Sequence, residues 1–288
     1  MRVFVAVVAA IAMCAVAAPA DAQLVRSASG ATAGDITAAR DQFRTDLGGG
    51  TVAGANGSFG GVRREINWDG VPDAFSAPNN LPANFFNVNS PRGVVFSTPG
   101  TGFQVSANAG VAPVDFGNID PSYTTTFAPF SAQRLFTALG SNIVDINFFI
   151  PGTATPALVT GFGAVFSDVD LAGSTSFSFF DINNILLGSW NVPAFAGSET
   201  FSFLGVSYDS AIVSRVRITS GNGPLAPGLT DQNGNLRDLV VMDDFIFGEP
   251  VLAAAVPEPS TWAMMLAGFA AIGLRLRRRG ADRITAPA

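Results

Sequence analysis

Over the middle of the chain, apolar residues recur at every second position, which is the period of a strand with one buried face. The alternation is cleanest over residues 143–150, where Val144, Ile146, Phe148 and Ile150 share one side and Asp145 and Asn147 take the other. Residues 174–180 set Phe177 and Phe179 against Ser176 and Ser178. Farther on, Ile212, Val216 and Ile218 face inward, and Arg215 and Arg217 face outward. Further strands are expected over 93–96 and 102–107, flanking the Thr98-Pro99-Gly100 turn, and over 185–190, 199–206 and 237–247, the last following an Asn233-Gly234 turn. Residues 158–169 read as one long strand that Gly161 and Gly163 would bend or bulge. Segment 71–91, with its prolines and asparagines, reads as a long ordered loop, and 112–131 as irregular. Roughly ten or eleven short strands with turns between them and no alternating helices predict an antiparallel β-sandwich of the jelly-roll type, over residues 62–249.

The ends of the chain break this pattern. Arg2, an apolar core over 3–16 and the small-residue site Ala20-Asp21-Ala22 form a secretory signal over 1–22. A lipoprotein reading through Cys14 fails because Met13 stands where a small residue is wanted. Residues 23–61 are expected as an N-terminal arm: loose over 23–34, helical over 35–47 and glycine-rich over 51–61. In the helix Asp35 would be the N-cap, Ile36, Ala39, Phe43 and Leu47 would share a face, and Gly48-Gly49-Gly50 would stop it. An Ala/Pro linker is expected over 250–256, a sorting segment with a short transmembrane helix over 257–280, and a tail over 281–288.

Composition narrows the chemistry. Hydrophobic residues make up 48% of the 288 positions and charged ones only 13%, a balance that suits short strands and tight turns over a helical enzyme. There is no histidine, every basic residue is arginine, and the one cysteine, Cys14, lies in the signal. The mature chain therefore has no disulfide, thiol nucleophile, imidazole base, Schiff-base lysine or Cys/His zinc site. With the two ends set aside, the body is strongly acidic, which argues against nucleic acid and is compatible with Ca²⁺ or neutral glycans.

The tail carries the most specific pattern. Val256-Pro257-Glu258-Pro259-Ser260-Thr261-Trp262 precedes an apolar run over 263–274 and then Arg275, Arg277, Arg278 and Arg279. The prolines keep the chain extended, Ser260 or Thr261 would cap a helix, Trp262 suits the headgroup level, and the arginines suit the cytoplasmic side. The apolar run is well short of the roughly 20 residues that a bilayer crossing needs, which makes a weak anchor. This segment resembles the PEP-CTERM sorting signal of Gram-negative bacteria, also known as an ice-binding-protein-type C-terminal motif. Pro257, Glu258, Pro259, Trp262, Arg277, Arg278 and Arg279 carry the likeness. The resemblance implies an exosortase partner, transient anchoring in the inner membrane, then release to the cell surface or extracellular matrix.

For the body, oxygen ligands are the available chemistry. Asp168 and Asp170, the pair Asp243-Asp244, and the loop with Asp231 and Asn233 are candidate Ca²⁺ ligands, the first two pairs being the candidates for a shared site if two groups converge. The loop alone would also serve as an Asx-rich hairpin turn. Residues 161–250 loosely resemble lectin-like, carbohydrate-binding sandwiches, and such a resemblance carries fold, not function. Trp68, Trp190 and Tyr208 would stack on sugar rings if exposed, although aromatics in sandwiches are more often core. A carboxylate glycosidase would have to draw on Glu65 and Glu199, since Glu249 and Glu258 lie in the linker and sorting segment. The expected role is a non-enzymatic structural or binding module, the alternative being Ca²⁺-dependent binding of extracellular polysaccharide.

Overall fold

In the computed structural model of the chain, the described residues are 22–50, 61–131, 133–232, 236–253, 264–273 and 275. The signal over 1–21, most of the glycine-rich loop, Asn233, Gly234 and the sorting residues Pro257, Glu258, Pro259, Trp262, Arg277, Arg278 and Arg279 lie outside them. The chain divides into two units, one ending at Leu252 and one beginning at Ala253.

The first unit runs β1 (Gln23–Gly30), α1 (Ala33–Asp46), β2 (Arg63–Ile66), α2 (Phe85–Val88), β3 (Val94–Ser97), β4 (Gly102–Val105), β5 (Phe136–Leu139), β6 (Ile143–Phe148), β7 (Ala157–Leu158), β8 (Gly161–Ser167), β9 (Ser176–Phe180), β10 (Leu186–Asn191), β11 (Phe201–Tyr208), β12 (Arg215–Thr219), β13 (Val241–Gly248) and β14 (Val251–Leu252). Its inner strands pair like a long hairpin that has been rolled up: β5 with β13, β6 with β12, β8 with β11 and β9 with β10. Rolling then brings β8 against β13 and β9 against β12. The result is two antiparallel sheets, β1-β11-β8-β13-β5-β4 and β10-β9-β12-β6-β3, with β2 completing the edge of β13. That strand order is a jelly roll, as the alternation predicts.

Between the sheets lies the main core, rich in phenylalanine: Phe96, Phe136, Phe148, Phe162, Phe177 and Phe245 are all at most 2% exposed. The second sheet has one wet face, so β6, β9 and β12 alternate buried and half-exposed positions. On that wet face Asp145 accepts from both Arg215 and Arg217, all three side chains lying on neighbouring rungs. The first sheet is buried on both faces along β8, β11 and β13. Its outer face is covered by α1, through Ile36, Phe43 and Leu47 against Val165, Phe203 and Ile246.

Several expectations change here. The segment read as a loose arm is β1, paired with β11 over all eight residues. The N-cap of α1 is Thr32, not Asp35; Asp35 occupies the third helical position and accepts at 2.8 Å from both the Thr32 amide and its hydroxyl. The three glycines after α1 do stop it, all with positive φ. Gly161 and Gly163 make no bulge, because β8 and β11 stay in continuous register. Instead Gly163 and Gly205 leave room for the Phe43 ring, which a Cβ at either position would meet at 2.8 and 2.6 Å. The long strand expected over 158–169 is broken between β7 and β8. Strands β3 and β4 flank their turn but belong to different sheets. The linker begins later than expected: β14 pairs with β7, and the buried Arg64 holds Glu249 through two bonds of 2.7 and 2.6 Å.

In the second unit residues 264–273 are helical, with Met264, Leu266, Phe269 and Ile272 exposed. At about 1.5 Å per residue such a helix covers about half of a bilayer core. Among the described residues no helix is long and apolar enough to cross a membrane, so the transmembrane helix expected over 257–280 is not found there.

Candidate functional site

Strand β8 ends at Ser167, and the chain leaves the sheet in a turn that begins with Asp168. The turn is tight: Asp168 has φ +72 and its amide donates to the Thr200 carbonyl at 3.0 Å. Asp238 anchors the next residues from behind. Its carboxylate accepts from the Asp170 and Leu171 amides, each at 3.1 Å, and from the Ser174 hydroxyl. Register brings a third segment to the same end of the sandwich. Val241 of β13 lies opposite Ser167, so the loop that precedes β13 passes beside Asp168. That loop carries Asp231, fixed by the Leu239 amide at 2.9 Å.

Three carboxylates meet here. One oxygen each from Asp168, Asp170 and Asp231 lie within 4.8 Å of one another. Asp168 has no exposed surface, and neither of its carboxylate oxygens has a hydrogen-bond partner. Asp170 accepts from the Gly197 amide at 2.7 Å through Oδ1, leaving a buried Oδ2 without a partner. Burial, followed by the charges of Asp231, Asp170, Asp238 and Glu199, pushes the Asp168 carboxyl up to about 9. Glu199, exposed at the turn before β11, also acts on Asp115, whose carboxyl burial and that charge push up to about 6. Glu199 enters the sequence reading only as a glycosidase acid, Asp238 only as an oxygen side chain beyond the Asp231 loop, and Asp115 not at all; a lone aspartate in an irregular segment carries no periodic signal.

The grouping therefore differs from the one expected. Asp168 and Asp170 converge with Asp231, not with Asp243 and Asp244. Asp243 is spent on the protein itself: its carboxylate accepts from the Phe130 amide at 2.6 Å and from the Ser131 amide and hydroxyl at 3.2 and 3.1 Å. Asp244 lies beside the α1–β2 charges, its carboxyl raised by burial and by Glu65 and eased by Ser131, Arg40 and Arg44.

The sugar-stacking candidates also move inward. Trp68 is 1% exposed, stacks on Phe136 with centroids 4.1 Å apart, and donates its indole N–H to the Asp243 carbonyl at 3.0 Å. Tyr208 is buried, and burial pushes its hydroxyl up to about 12. Trp190 is half-buried, edge-on to Phe179. Trp68 and Tyr208 therefore offer no ring face to a sugar, and Trp190 alone of the three keeps some exposed surface. Glu65, on β2, is held by Arg44 and Arg63, whereas Glu199 stands in the turn before β11. No contact joins this glycosidase pair among the described residues.

Comparison with known proteins adds one firm result. Residues 255–279 match the PEP-CTERM protein-sorting motif. No match was found among the curated proteins. Among solved structures, the enzymatically active domain of bacteriophage CBA120 tailspike protein 4 is similar at 12% identity and a TM-score of 0.23 over 59% of this chain. The chain spans a fifth of that protein's length, 20%.

Proposed function

We propose that this chain, whose residues 255–279 carry a PEP-CTERM protein-sorting motif, is a bacterial surface or matrix protein in which the motif is the address and the jelly roll is the delivered module. The motif is the observation that carries the reading: it marks an exported protein that an exosortase processes. In this reading the tail holds the chain at the inner membrane until the enzyme cuts it, and the body then acts outside the cell as a structural and binding domain. Three features of the body support it. The mature chain has no cysteine, lysine or histidine, so it needs no redox partner outside the cell. Among the described residues the last paired one, Leu252, stands just before the matched motif, so cutting within the motif leaves every described strand intact. The Arg64–Glu249 pair and the β7–β14 bridge close the fold at that point.

The test is deletion of Pro257–Pro259 in a Gram-negative host that carries an exosortase, followed by fractionation and intact-mass measurement. The variant is expected to stay with the membrane at uncleaved mass, while the parent appears outside at the mass of the processed chain. Equal release of both would remove the reading.

A further inference from the structure

We infer that Asp168, Asp170 and Asp231 form a calcium site that ties the β8–β9 turn to the loop preceding β13. An acidic cluster alone would not carry this. The second observation is Asp168: a fully buried carboxylate, both oxygens without a partner, turned into the cluster. An isolated ionised carboxylate in such a place is costly, and proteins resolve the cost with hydrogen bonds, a counter-charge or a retained proton. Here the neighbours are further acids, and Asp170 adds a third buried oxygen without a partner. A cation resolves all three at once.

The number and kind of ligands favour calcium. Calcium is bound by oxygens at about 2.3–2.6 Å, so two ligands on opposite sides of it are about 5 Å apart. The three carboxylate oxygens lie within 4.8 Å of one another, which such an ion spans. Magnesium demands near-ideal octahedral geometry, keeps several waters and is ordinarily held by one or two carboxylates, so three carboxylates drawn from two separate connections suit calcium better. The ligands are all oxygen, which excludes a thiolate or imidazole centre. With only three carboxylates, water would complete the shell, and the affinity would suit extracellular calcium levels, a dissociation constant on the order of 10⁻⁴–10⁻³ M.

The ion's role is positional. Asp168 and Asp170 follow β8, Asp231 lies on the β12–β13 connection, and Glu199 opens β11. A cation held by the three aspartates links the β8–β9 turn to the β12–β13 connection, with the Glu199 charge close by. The site stands on its own geometry and holds whether or not the tail is an exosortase signal.

The experiment is calcium titration of the purified secreted chain, stripped with EDTA, read by calorimetry and by melting temperature, against magnesium and against D168N and D231N. One calcium per chain is expected, with a rise in melting temperature that magnesium at equal concentration does not match. D168N is expected to abolish the binding heat, and D231N, which alters a half-buried ligand, to weaken binding at least about tenfold. The inference is overturned if the parent gives neither heat nor a shift at about 10 mM calcium, well above the affinity range of extracellular sites. It is equally overturned if both variants bind like the parent, since the ion then sits elsewhere.

Discussion

Replacing Asp168 by asparagine should make the metal-free protein more stable while making it blind to calcium. The two effects have one cause. The Asp168 carboxyl ordinarily titrates at 3.8 and in the fold is pushed up to about 9, by burial first and then by the surrounding acids. At pH 7 the unfolded chain carries this carboxylate ionised, whereas the metal-free fold keeps a proton on it. Taking up that proton costs about 1.4 kcal/mol per unit over roughly three units, or about 4 kcal/mol of stability at pH 7. A raised carboxylate pKa means that the group's stabilisation is complete below 3.8 and is lost steadily as pH rises toward about 9. Acidifying the metal-free protein from about pH 7 to 5 should therefore recover about 3 kcal/mol, a rise in melting temperature of about 6–12 °C for a domain of this size. No histidine competes in that window, because the chain has none. Asp115, Asp243 and Asp244 are raised as well and tilt the curve in the same direction. The share due to Asp168 is isolated by the asparagine variant, which is neutral at every pH and offers amide protons to Asp170 and Asp231. Thermal unfolding followed by circular dichroism in EDTA, from about pH 5 to 8, measures both slopes. D168N should melt roughly 8–16 °C above the parent at pH 7 in EDTA, with a flatter pH slope and no response to calcium. If it melts at or below the parent in EDTA, the reasoning about an uncompensated buried acid is wrong.

Two further predictions concern what holds the site's scaffold. Phe43→Ala should cost about 3–5 kcal/mol in urea unfolding, because the ring fills the seat made by Gly163 and Gly205. Gly205→Ala should cost about 1–3 kcal/mol by overpacking that same ring, and the double variant should cost less than the sum, whereas strict additivity would mean that the two do not meet. Arg64→Met should destabilise by about 3–5 kcal/mol, because it strands Glu249 beside a buried position; the loss should also expose the junction after β13 to limited proteolysis, and an unchanged cleavage pattern would show that the pair does not secure that end.

How much of this was legible in the residues depends on which face of which strand meets water. β6, β9 and β12 keep solvent on one side, so their alternation survives in the sequence and even pairs Asp145 with Arg215 and Arg217 by facing. β8, β11 and β13 lie between the core and α1, so their pattern is continuous and a glycine in them reads as a defect. It is a socket for an aromatic ring from a distant helix, which no local window contains. β1 is hidden for a related reason: small and polar residues make it look like an arm, and its order comes from its ladder with β11, far along the chain, and from α1, whose Asp46 holds Arg26.

The acidic site divides along the same line, and the division explains why the grouping changed. Asp168, Asp170 and Asp231 were visible one by one, as oxygen side chains near turns. Asp243-Asp244 was visible on the same grounds and looked equivalent. What separates Asp243 from Asp168 is the supply of donors. Asp243 lies in β13 where the 130–131 segment turns two amides and a hydroxyl toward it, so the protein itself neutralises the group. Asp168 sits one residue past the end of β8, in a positive-φ turn whose nearby donors are taken by Asp238 and Asp170. Which loop ends up rich in donors and which is left short is decided by rolling β8 against β13, a long-range event that alternation cannot report. A buried acid left without donors at the meeting point of two connections is where a cation contributes most, because there it replaces hydrogen bonds the fold does not make.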